Sequence, residues 1–249
     1  MDRLKGKTAL ITGGTSGIGL ATAKLFRAEG AQLAITGRDP DSLARAQEIL
    51  GNETLVIRSD AGNLAEIELM IEQVKDRFNR LDVLFVNAAI AKAAPVELVS
   101  EDQFDEIMGI NFKGVFFTIQ KALPLFGDSA SIIVTTSITN QLGSPNFSVY
   151  GASKAALRSL VQSLSLELIS RGIRVNAISP GPIATPMFDR FGIPSDAVHA
   201  IKGEIERKSP IKRFGTPEEV AKVALFLASD DSAYLVGEEI VVDGGMSLL

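Results

Sequence analysis

The chain of 249 residues contains no cysteine and only one histidine, His199. The lack of cysteine excludes disulfide bonds, thiolate catalysis and cysteine-ligated metal sites, and it is compatible with a reducing compartment. A lone histidine is weak support for a metal site, and we expect His199 to lie at the surface or in a lid. The sequence therefore predicts a protein without a metal centre.

Long apolar runs and an excess of basic residues are also missing. No stretch reaches the ~18 consecutive apolar residues of a membrane-spanning helix, and the apolar run at 7–12 is too short for the core of a signal peptide. With 25 Lys and Arg against 30 Asp and Glu, the net charge of −5 gives no indication of a nucleic-acid surface. We expect a cytoplasmic globular protein that binds neither membranes nor nucleic acid.

The sequence does contain an alternation of β-branched runs and amphipathic stretches. Strands are predicted at 7–12, 31–36, 53–59, 81–87, 131–137, 173–179 and 238–243, and helices at 17–30, 40–50, 63–78, 100–123, 149–170 and 216–229. Strands that are apolar on both faces are typical of a parallel sheet covered by helices on each side. Strict alternation with short links predicts a doubly wound α/β fold.

A segment rich in proline and glycine, 180–215, interrupts this pattern. A long insertion of this kind in a compact domain is often a lid or a binding loop. We therefore expect one domain over residues 1–249, irregular at 180–215, with a substrate lid at about 186–215.

The stretch TGGTSGIG (12–19) lies between the first predicted strand and the first predicted helix. Gly13, Gly17 and Gly19 permit a tight turn, close approach to a pyrophosphate and close contact between helix and strand. The helix N-terminus adds free N–H groups and a positive dipole. A glycine-rich turn without a ligand is the alternative, but the strand before it and the helix after it favour a Rossmann domain with a seven-stranded parallel sheet.

The end of the second strand indicates which dinucleotide is bound. An acidic residue there would bind the ribose 2′-hydroxyl of NAD, but this chain has Gly37 followed by Arg38. Arginine suits a 2′-phosphate through forked, charge-assisted hydrogen bonds. In the alternative, Arg38 caps a solvated turn and Asp39 takes the role of the acid. We expect NADP(H), with NAD(H) as the weaker candidate.

Tyr150 and Lys154 stand four residues apart in a predicted helix, and so lie on one face of it. Ser137 ends the strand that precedes this helix, at the edge of the sheet where open α/β sheets bind ligands. By itself, the Tyr–Lys spacing also fits a solvated helix surface, and Ser137 also fits a turn cap. Asn111, in the helix predicted at 100–123, also fits an ordinary polar position of a helix.

Because these residues occur together with the glycine loop, the chain resembles the short-chain dehydrogenase/reductase family over nearly its whole length. The matching motifs are TGGTSGIG, Asp60 after the third strand, NAA (87–89), NFKG (111–114), Ser137, the pair Tyr150 and Lys154, and PGPIAT (180–185). The family usually has glycine at the position of Ala89 and often has asparagine at that of Val86.

The resemblance implies a catalytic tetrad of Asn111, Ser137, Tyr150 and Lys154. Ser137 would polarise a substrate carbonyl while Tyr150 delivers a proton, and Asn111 would hold a water that connects Lys154 to solvent. Lys154 would also hold the nicotinamide ribose. A free tyrosine has a pKa near ~10, and we expect the Lys154 ammonium and an oxidised nicotinamide to lower that of Tyr150.

The expected cofactor contacts combine the glycine loop with the positions that the family uses. They are Gly13, Thr15, Ser16, Gly17, Ile18, Gly19, Arg38, Asp60, Ala61, Asn87, Ala88, Tyr150, Lys154, Pro180, Gly181, Ile183 and Thr185. For Asp60, a strand-end cap is nearly as good an interpretation. Asn87 is expected to shape its loop rather than to react, and Thr185 is alternatively a helix cap.

The substrate pocket is expected between 138–149 and 186–215, which carry apolar side chains and few charges. The residues expected to contact substrate are Ser137, Gln141, Phe147, Tyr150, Met187 and Phe188. The sequence thus predicts an NADP-dependent reductase of ketones with bulky apolar substituents, acting also on the corresponding secondary alcohols.

Two other functions stay open at this stage. The first is a 3-oxoacyl-[acyl-carrier-protein] reductase, which usually carries a basic cluster before the fifth strand. Here 124–131 has no Lys or Arg, although Arg171 fits a basic position of that branch. The second is a non-catalytic NADP(H)-binding sensor or scaffold. By resemblance, the helices at 100–123 and 149–170 and the apolar C-terminal tail imply a homotetramer.

Overall fold

The computed structural model of the protein describes residues 2–187, 191 and 195–249. Its strands are β1 (Thr8–Ile11), β2 (Gln32–Gly37), β3 (Leu55–Arg58), β4 (Leu81–Val86), β5 (Phe126–Thr135), β6 (Ile173–Pro180) and β7 (Glu239–Val242). Its α-helices are α1 (Gly17–Ala28), α2 (Pro40–Leu50), α3 (Leu64–Phe78), α4 (Glu101–Met108), α5 (Val115–Ala122), α6 (Ser148–Leu168), α7 (Ser195–Lys208) and α8 (Pro217–Ala228). A π-helical turn, Gly109–Gly114, joins α4 to α5.

All seven strands are parallel and follow the order β3-β2-β1-β4-β5-β6-β7. From β1 the chain winds outward to β3, then returns to β4 and winds the other way to β7. The expected doubly wound Rossmann-type fold is confirmed. The winding reverses between β1 and β4, and such a reversal opens a crevice at the carboxyl ends of the two strands.

The sheet has a hydrophobic core on each face because successive strand residues point to opposite sides. In β1, Ala9 and Ile11 belong to the core that is completed by Phe26 and other buried residues of α1, α2 and α8. Leu10 belongs to the opposite core, with Ile119 and other residues of α3, α5 and α6. Three helices therefore cover each face, which leaves the strand ends for binding.

Two sequence predictions are corrected by the structure. The expectation of an irregular segment at 180–215 is wrong over Ser195–Lys208, which forms α7. The expected single helix at 100–123 is instead α4 and α5 separated by the π-helical turn. The first of these helices is capped by Ser100, whose hydroxyl accepts a hydrogen bond from Gln103 N at 3.1 Å. Among the described residues, no helix is long and apolar enough to cross a membrane.

Candidate active site

The crevice between β1 and β4 is held together by Thr12 and Asn87. The Thr12 hydroxyl accepts hydrogen bonds from the backbone nitrogens of Asn87 (3.0 Å) and Ala88 (3.1 Å). The Asn87 amide donates to the carbonyls of Thr12 (3.2 Å) and Gly13 (3.3 Å). As expected, Asn87 shapes its loop, and it ties the end of β4 to the start of the glycine loop.

The glycine loop has the backbone shape that the sequence predicts. Gly13 and Gly17 have φ angles of +65° and +51°, which are costly for other residues. A Cβ on Gly19 would lie 2.2 Å from the Gly13 carbonyl oxygen, so α1 approaches the loop closely. Ser16, the N-cap of α1, makes no side-chain capping bond. The first N–H groups of α1 thus face a cradle that side chains would fill, which fits a pyrophosphate.

The end of β2 presents Arg38 and Asp39 in different ways. Asp39 is the N-cap of α2, and its carboxylate accepts hydrogen bonds from Ser42 N (2.8 Å) and Ser42 Oγ (2.5 Å). Arg38 has about half of its side chain exposed, and its Nη1 lies 3.5 Å from Asp60 Oδ2. Asp60 also caps its own turn by accepting from Gly62 N at 2.8 Å. Arg38 is therefore oriented by one carboxylate but stays accessible to a ligand.

Residues 180–185 lie against the glycine loop from the other side. A Cβ on Gly17 would meet Thr185 Cγ2 at 3.0 Å, which brings Thr185 to the N-terminus of α1. Gly181 is required where the segment passes Asp243, because a Cβ would lie 2.6 Å from Asp243 Cβ. The Ile183 side chain is buried in the core, so only its backbone can face a cofactor.

Asn111 lies in the π-helical turn and is fully buried. Its Oδ1 accepts from Ile90 N at 2.9 Å, while its Nδ2 lies 2.9 Å from Ile90 O and 3.2 Å from Ser153 Oγ. The amide thus connects the loop after β4 to helix α6. Within the turn, Gly114 allows the Ala61 carbonyl to come close, since a Cβ would be 1.9 Å from that oxygen.

Lys154 is buried, with 2% of its surface exposed, and its Nζ donates a hydrogen bond to the Thr135 carbonyl at 2.8 Å. Burial disfavours the ammonium form and lowers the pKa of Lys154 to about 7. The Nζ atom lies 5.8 Å from the centroid of the Tyr150 ring. The i, i+4 spacing therefore places both groups on the inward face of α6.

The Ser137 side chain is close enough to the Tyr150 hydroxyl to affect its pKa, which brings the strand end and the helix together. Although Tyr150 is partly exposed as a residue, burial raises its pKa, and the Ser137 side chain opposes the rise. The expected lowering by Lys154 is not found in the protein itself, because burial outweighs the other effects. Ser137 also accepts from Thr139 N at 3.2 Å, so it caps a short 3₁₀ turn as well.

The expected substrate residues divide into separate groups. Phe147 lies edge-on to Tyr150, with ring centroids 6.2 Å apart, and edge-on to Phe191 at 5.1 Å. The Gln141 amide donates to Glu239 on β7. Met187 is partly exposed, and Phe188 lies outside the described residues. An aromatic wall therefore extends from the Tyr150 ring toward 186–215. His199 is an exposed residue of α7.

Comparisons with known proteins agree with this geometry. A family model described as enoyl-(acyl carrier protein) reductase matches residues 13–247. The chain belongs to the short-chain dehydrogenase/reductase family. Members of this family are oxidoreductases that bind nicotinamide cofactors and act on small molecules.

Individual members of the family cover almost all of the chain. The oxidoreductase asL5 of Sarocladium schorii is 42% identical over 250 residues, which are 99% of this chain and 98% of that protein. The crystal structure of levodione reductase has a TM-score of 0.92 and 33% identity, and covers 98% of this chain and 99% of its own. That of 3-ketoacyl-(acyl-carrier-protein) reductase from Brucella melitensis with NADH has a TM-score of 0.90, 31% identity and the same coverage.

Sequence reasoning missed three residues that hold the candidate site together: Thr12, Thr135 and Ser153. Thr135 is engaged through its carbonyl oxygen, which the sequence cannot distinguish from any other. Ser153 could have been found, since it lies three residues from Tyr150, and its hydroxyl is 2.7 Å from the Tyr150 carbonyl. Among the described residues, no group of three or more potential metal-ligating side chains comes together.

Proposed function

We propose that the protein transfers a hydride between NADP(H) and a ketone or secondary alcohol with bulky apolar substituents. The closeness of the Ser137 side chain to the Tyr150 hydroxyl, with Lys154 buried beside them, carries this proposal. The aromatic rings of Phe147, beside Tyr150, and of Phe191, beside Phe147, support an apolar substrate. The likeness to levodione reductase supports a ketone.

In ketone reduction, Ser137 hydrogen-bonds the carbonyl oxygen and Tyr150 transfers its phenolic proton to that oxygen. A bound NADPH would supply the hydride to the carbonyl carbon. Burial keeps Tyr150 protonated near neutral pH, which suits a proton donor. Lys154 would hold the nicotinamide ribose, and its pKa of about 7 allows it to gain or lose a proton at the same pH. Met187 and Phe188 are proposed to complete the substrate wall.

Replacing Tyr150 with Phe tests this mechanism, because the change keeps the ring and removes the proton donor. We expect the rate of ketone-dependent NADPH oxidation to fall at least about 100-fold. Tyr234→Phe is the matched control, since Tyr234 is the other tyrosine and is fully exposed. A Tyr150→Phe variant as active as the control would contradict this mechanism, whereas a wild-type protein without ketone-dependent NADPH oxidation would favour the sensor or scaffold interpretation.

The preference for NADP(H) is supported by the different roles that Arg38 and Asp39 have in the structure. The Asp39 carboxylate is engaged as a helix cap, whereas Arg38 is accessible at the place where a 2′-phosphate would lie. Bound cofactor would lie on the glycine loop, with Asp60 and Ala61 near the adenine and Pro180 to Thr185 near the nicotinamide. The NADH complex of the Brucella melitensis relative keeps NAD(H) as the alternative.

Arg38→Asp tests the cofactor assignment. We expect the KM for NADPH to rise about 10- to 100-fold, since a charge-assisted hydrogen bond is worth about 1.5–3 kcal/mol, and the KM for NADH to fall. The control is Arg45→Asp, which makes the same change of charge on exposed α2. Equal KM values for NADPH in the two variants would contradict the assignment.

The second candidate, 3-oxoacyl-[acyl-carrier-protein] reductase, is favoured by the Brucella melitensis relative. The description of the family model names a different reductase, but one that also acts on an acyl group of a carrier protein. Against it, Arg171 donates a hydrogen bond to the Leu123 carbonyl at 2.9 Å and so already has a partner in the fold. Comparing one 3-oxoacyl group on a carrier protein and on a small thiol separates the two functions. A large preference for the carrier-bound thioester would favour this candidate.

We also propose a cytoplasmic homotetramer. Exposed apolar side chains on α4, α5 and α6, including Phe104, Phe116 and Leu166, support one contact between copies. A second set near the C-terminus, including Leu248 and Leu249, supports another. Exposed apolar groups of this kind commonly mark association surfaces.

A further inference from the structure

A second cluster of polar groups surrounds the carboxylate of Glu239, and Gln141 belongs to it. Glu239 is the first residue of the edge strand β7, and 7% of its side chain is exposed. Its Oε1 lies 2.5 Å from the Thr136 hydroxyl and accepts from Asn140 Nδ2 at 2.6 Å. Its Oε2 accepts from Gln141 Nε2 at 3.1 Å and lies 3.3 Å from Arg158 Nε.

These four donors come from the two segments that carry the catalytic groups. Thr136 and Asn140 stand on either side of Ser137 in the chain, one residue before it and three after it. Arg158 lies on α6, four residues after Lys154 and eight after Tyr150, and thus near the same helix face. A single carboxylate therefore links the loop that holds Ser137 and the helix that holds Tyr150 to a third element.

The loop is also attached at its start, where the backbone nitrogen and the hydroxyl of Thr136 lie 2.8 Å and 3.0 Å from the Ile178 carbonyl oxygen. After β5 ends at Thr135, residues 138–140 form one 3₁₀ turn, and the chain joins α6 only at Ser148. A buried carboxylate is stable only when its oxygens are hydrogen-bonded or paired with a cation. All four contacts are therefore maintained together, and they restrict the loop.

We propose that Glu239 is a positioning residue, which anchors the 136–141 loop and α6 to β7 and so holds Ser137 against the Tyr150 hydroxyl. This inference rests on the proposed function, since it concerns the same proton transfer. Glu239 itself does not touch the reacting atoms. It acts through Thr136 and Asn140 on Ser137, and through Arg158 on α6.

Loss of the Glu239 contacts should change the pKa of Tyr150, which a general loss of stability would not do. The Ser137 side chain opposes the rise that burial causes in the pKa of Tyr150. If Ser137 is held less firmly, the pKa of Tyr150 rises further. The Lys154 side chain, which is largely uncharged above pH 7, faces the same ring, and the neighbouring Phe147 is uncharged. In alcohol oxidation, where Tyr150 accepts the proton, the pH at half-maximal kcat should therefore move upward.

The test compares Glu239→Ala and Glu239→Gln with Glu238→Gln. Glu238 is an exposed neighbour that lines the same cavity of about 120 Å³ beside the carboxylate, and it serves as the matched control. We expect Glu239→Ala to lower kcat about 10- to 100-fold, as for a displaced catalytic group, and to raise the pH midpoint of alcohol oxidation. The KM for the cofactor should stay within twofold of the control, because the glycine loop is not touched.

Glu239→Gln should recover part of the activity. Its amide oxygen can still accept from Thr136 and Asn140, but its NH₂ group cannot accept from Gln141 or pair with Arg158. If Glu239→Ala does not fold, this variant carries the test, with a smaller loss of kcat and the same direction of pH shift.

The proposal is overturned if the folded Glu239 variants match Glu238→Gln in kcat and in pH midpoint. It is also overturned if their loss of activity lies wholly in the cofactor KM. Failure of the proposed function would look different. In that case the wild-type protein would not reduce ketones, or Tyr150→Phe would have no effect, whatever the Glu239 variants do.

Discussion

At the scale of single residues, the site combines two groups whose proton affinities are changed in opposite directions by the same burial. Burial raises the pKa of the Tyr150 phenol and lowers that of the Lys154 ammonium, because it disfavours the charged form of each. Both groups are therefore closer to neutral than they would be in water. Burying the Lys154 ammonium therefore lowers the free energy of unfolding of the protein.

Lys154→Met should remove this effect. In the unfolded chain the pKa of Lys154 is near its ordinary value of 10.5, and in the folded protein it is about 7. Between these values the unfolded chain binds more protons, so the contribution of Lys154 to stability rises with pH by about 1.4 kcal/mol per unit and is lowest below pH 7. We expect the variant to be inactive, more stable than wild type near pH 7, and less different from it near pH 10.

Urea denaturation at several pH values measures this difference. Lys75→Met is the control, because Lys75 is exposed on α3. A Lys154→Met variant whose free energy of unfolding follows that of Lys75→Met at every pH would contradict the burial of a titrating ammonium.

Many of the individual residues of the site were predictable from the sequence. The glycine loop is a local sequence pattern that indicates a turn with positive φ angles. Gly13 and Gly17 have such angles. The identities of Ser137, Tyr150 and Lys154 were predicted, and the structure brings these three together. The direction of the Tyr150 pKa shift was not predictable, because it depends on how deeply surrounding segments bury the group.

At the scale of elements, the π-helical turn between α4 and α5 is the main departure from regular structure. A π-helical turn inserts extra backbone into a helix and is frequent at functional sites. Here it carries Asn111, whose amide satisfies both backbone groups of Ile90 and reaches Ser153. The amphipathic pattern of 100–123 shows only a helix, since the choice between α and π geometry is made by these distant partners.

Asn111→Leu should weaken this element. It leaves the N–H and C=O of Ile90, which is partly buried, without their partner, and a fully buried unsatisfied group costs about 1–3 kcal/mol. We expect a lower free energy of unfolding and a lower kcat, because the loop after β4 and α6 lose their connection. Chemical denaturation and steady-state kinetics measure the two effects.

Ser100→Ala is the control in the same region. It removes the cap of α4 and should cost about 1 kcal/mol without changing kcat. If Asn111→Leu is no less stable than wild type, or keeps its kcat, the linking role of the Asn111 amide is wrong.

At the scale of the whole molecule, the strand order brings together residues that are far apart in the chain. Thr12 and Asn87 meet because β1 and β4 are neighbours, and Glu239 reaches Thr136 from β7 across β6. The same order leaves apolar side chains of α4, α5 and α6 exposed, with Leu166 at 77%. These side chains support the proposed association of copies.

Leu166→Glu should disrupt that association, since it places a charge in an apolar contact. We expect a smaller particle in sedimentation velocity or light scattering, at a protein concentration where the wild type is a tetramer. Ile49→Glu is the control, because Ile49 is an exposed apolar residue on α2, which packs on the other face of the sheet from α5 and α6. If both variants keep the wild-type mass, the contact through α6 is wrong.

The sequence by itself determined the alternation of elements, the cofactor loop and the identity of the proposed catalytic residues, because these depend on periodicity and on short motifs. Only the tertiary structure decided the helical form of Ser195–Lys208, the turn around Asn111, the raised pKa of Tyr150 and the partners of Glu239. The physical reason is the distance along the chain over which each property is decided. Local patterns record which face of an element is apolar, whereas burial and hydrogen bonding are set by segments that meet across the sheet.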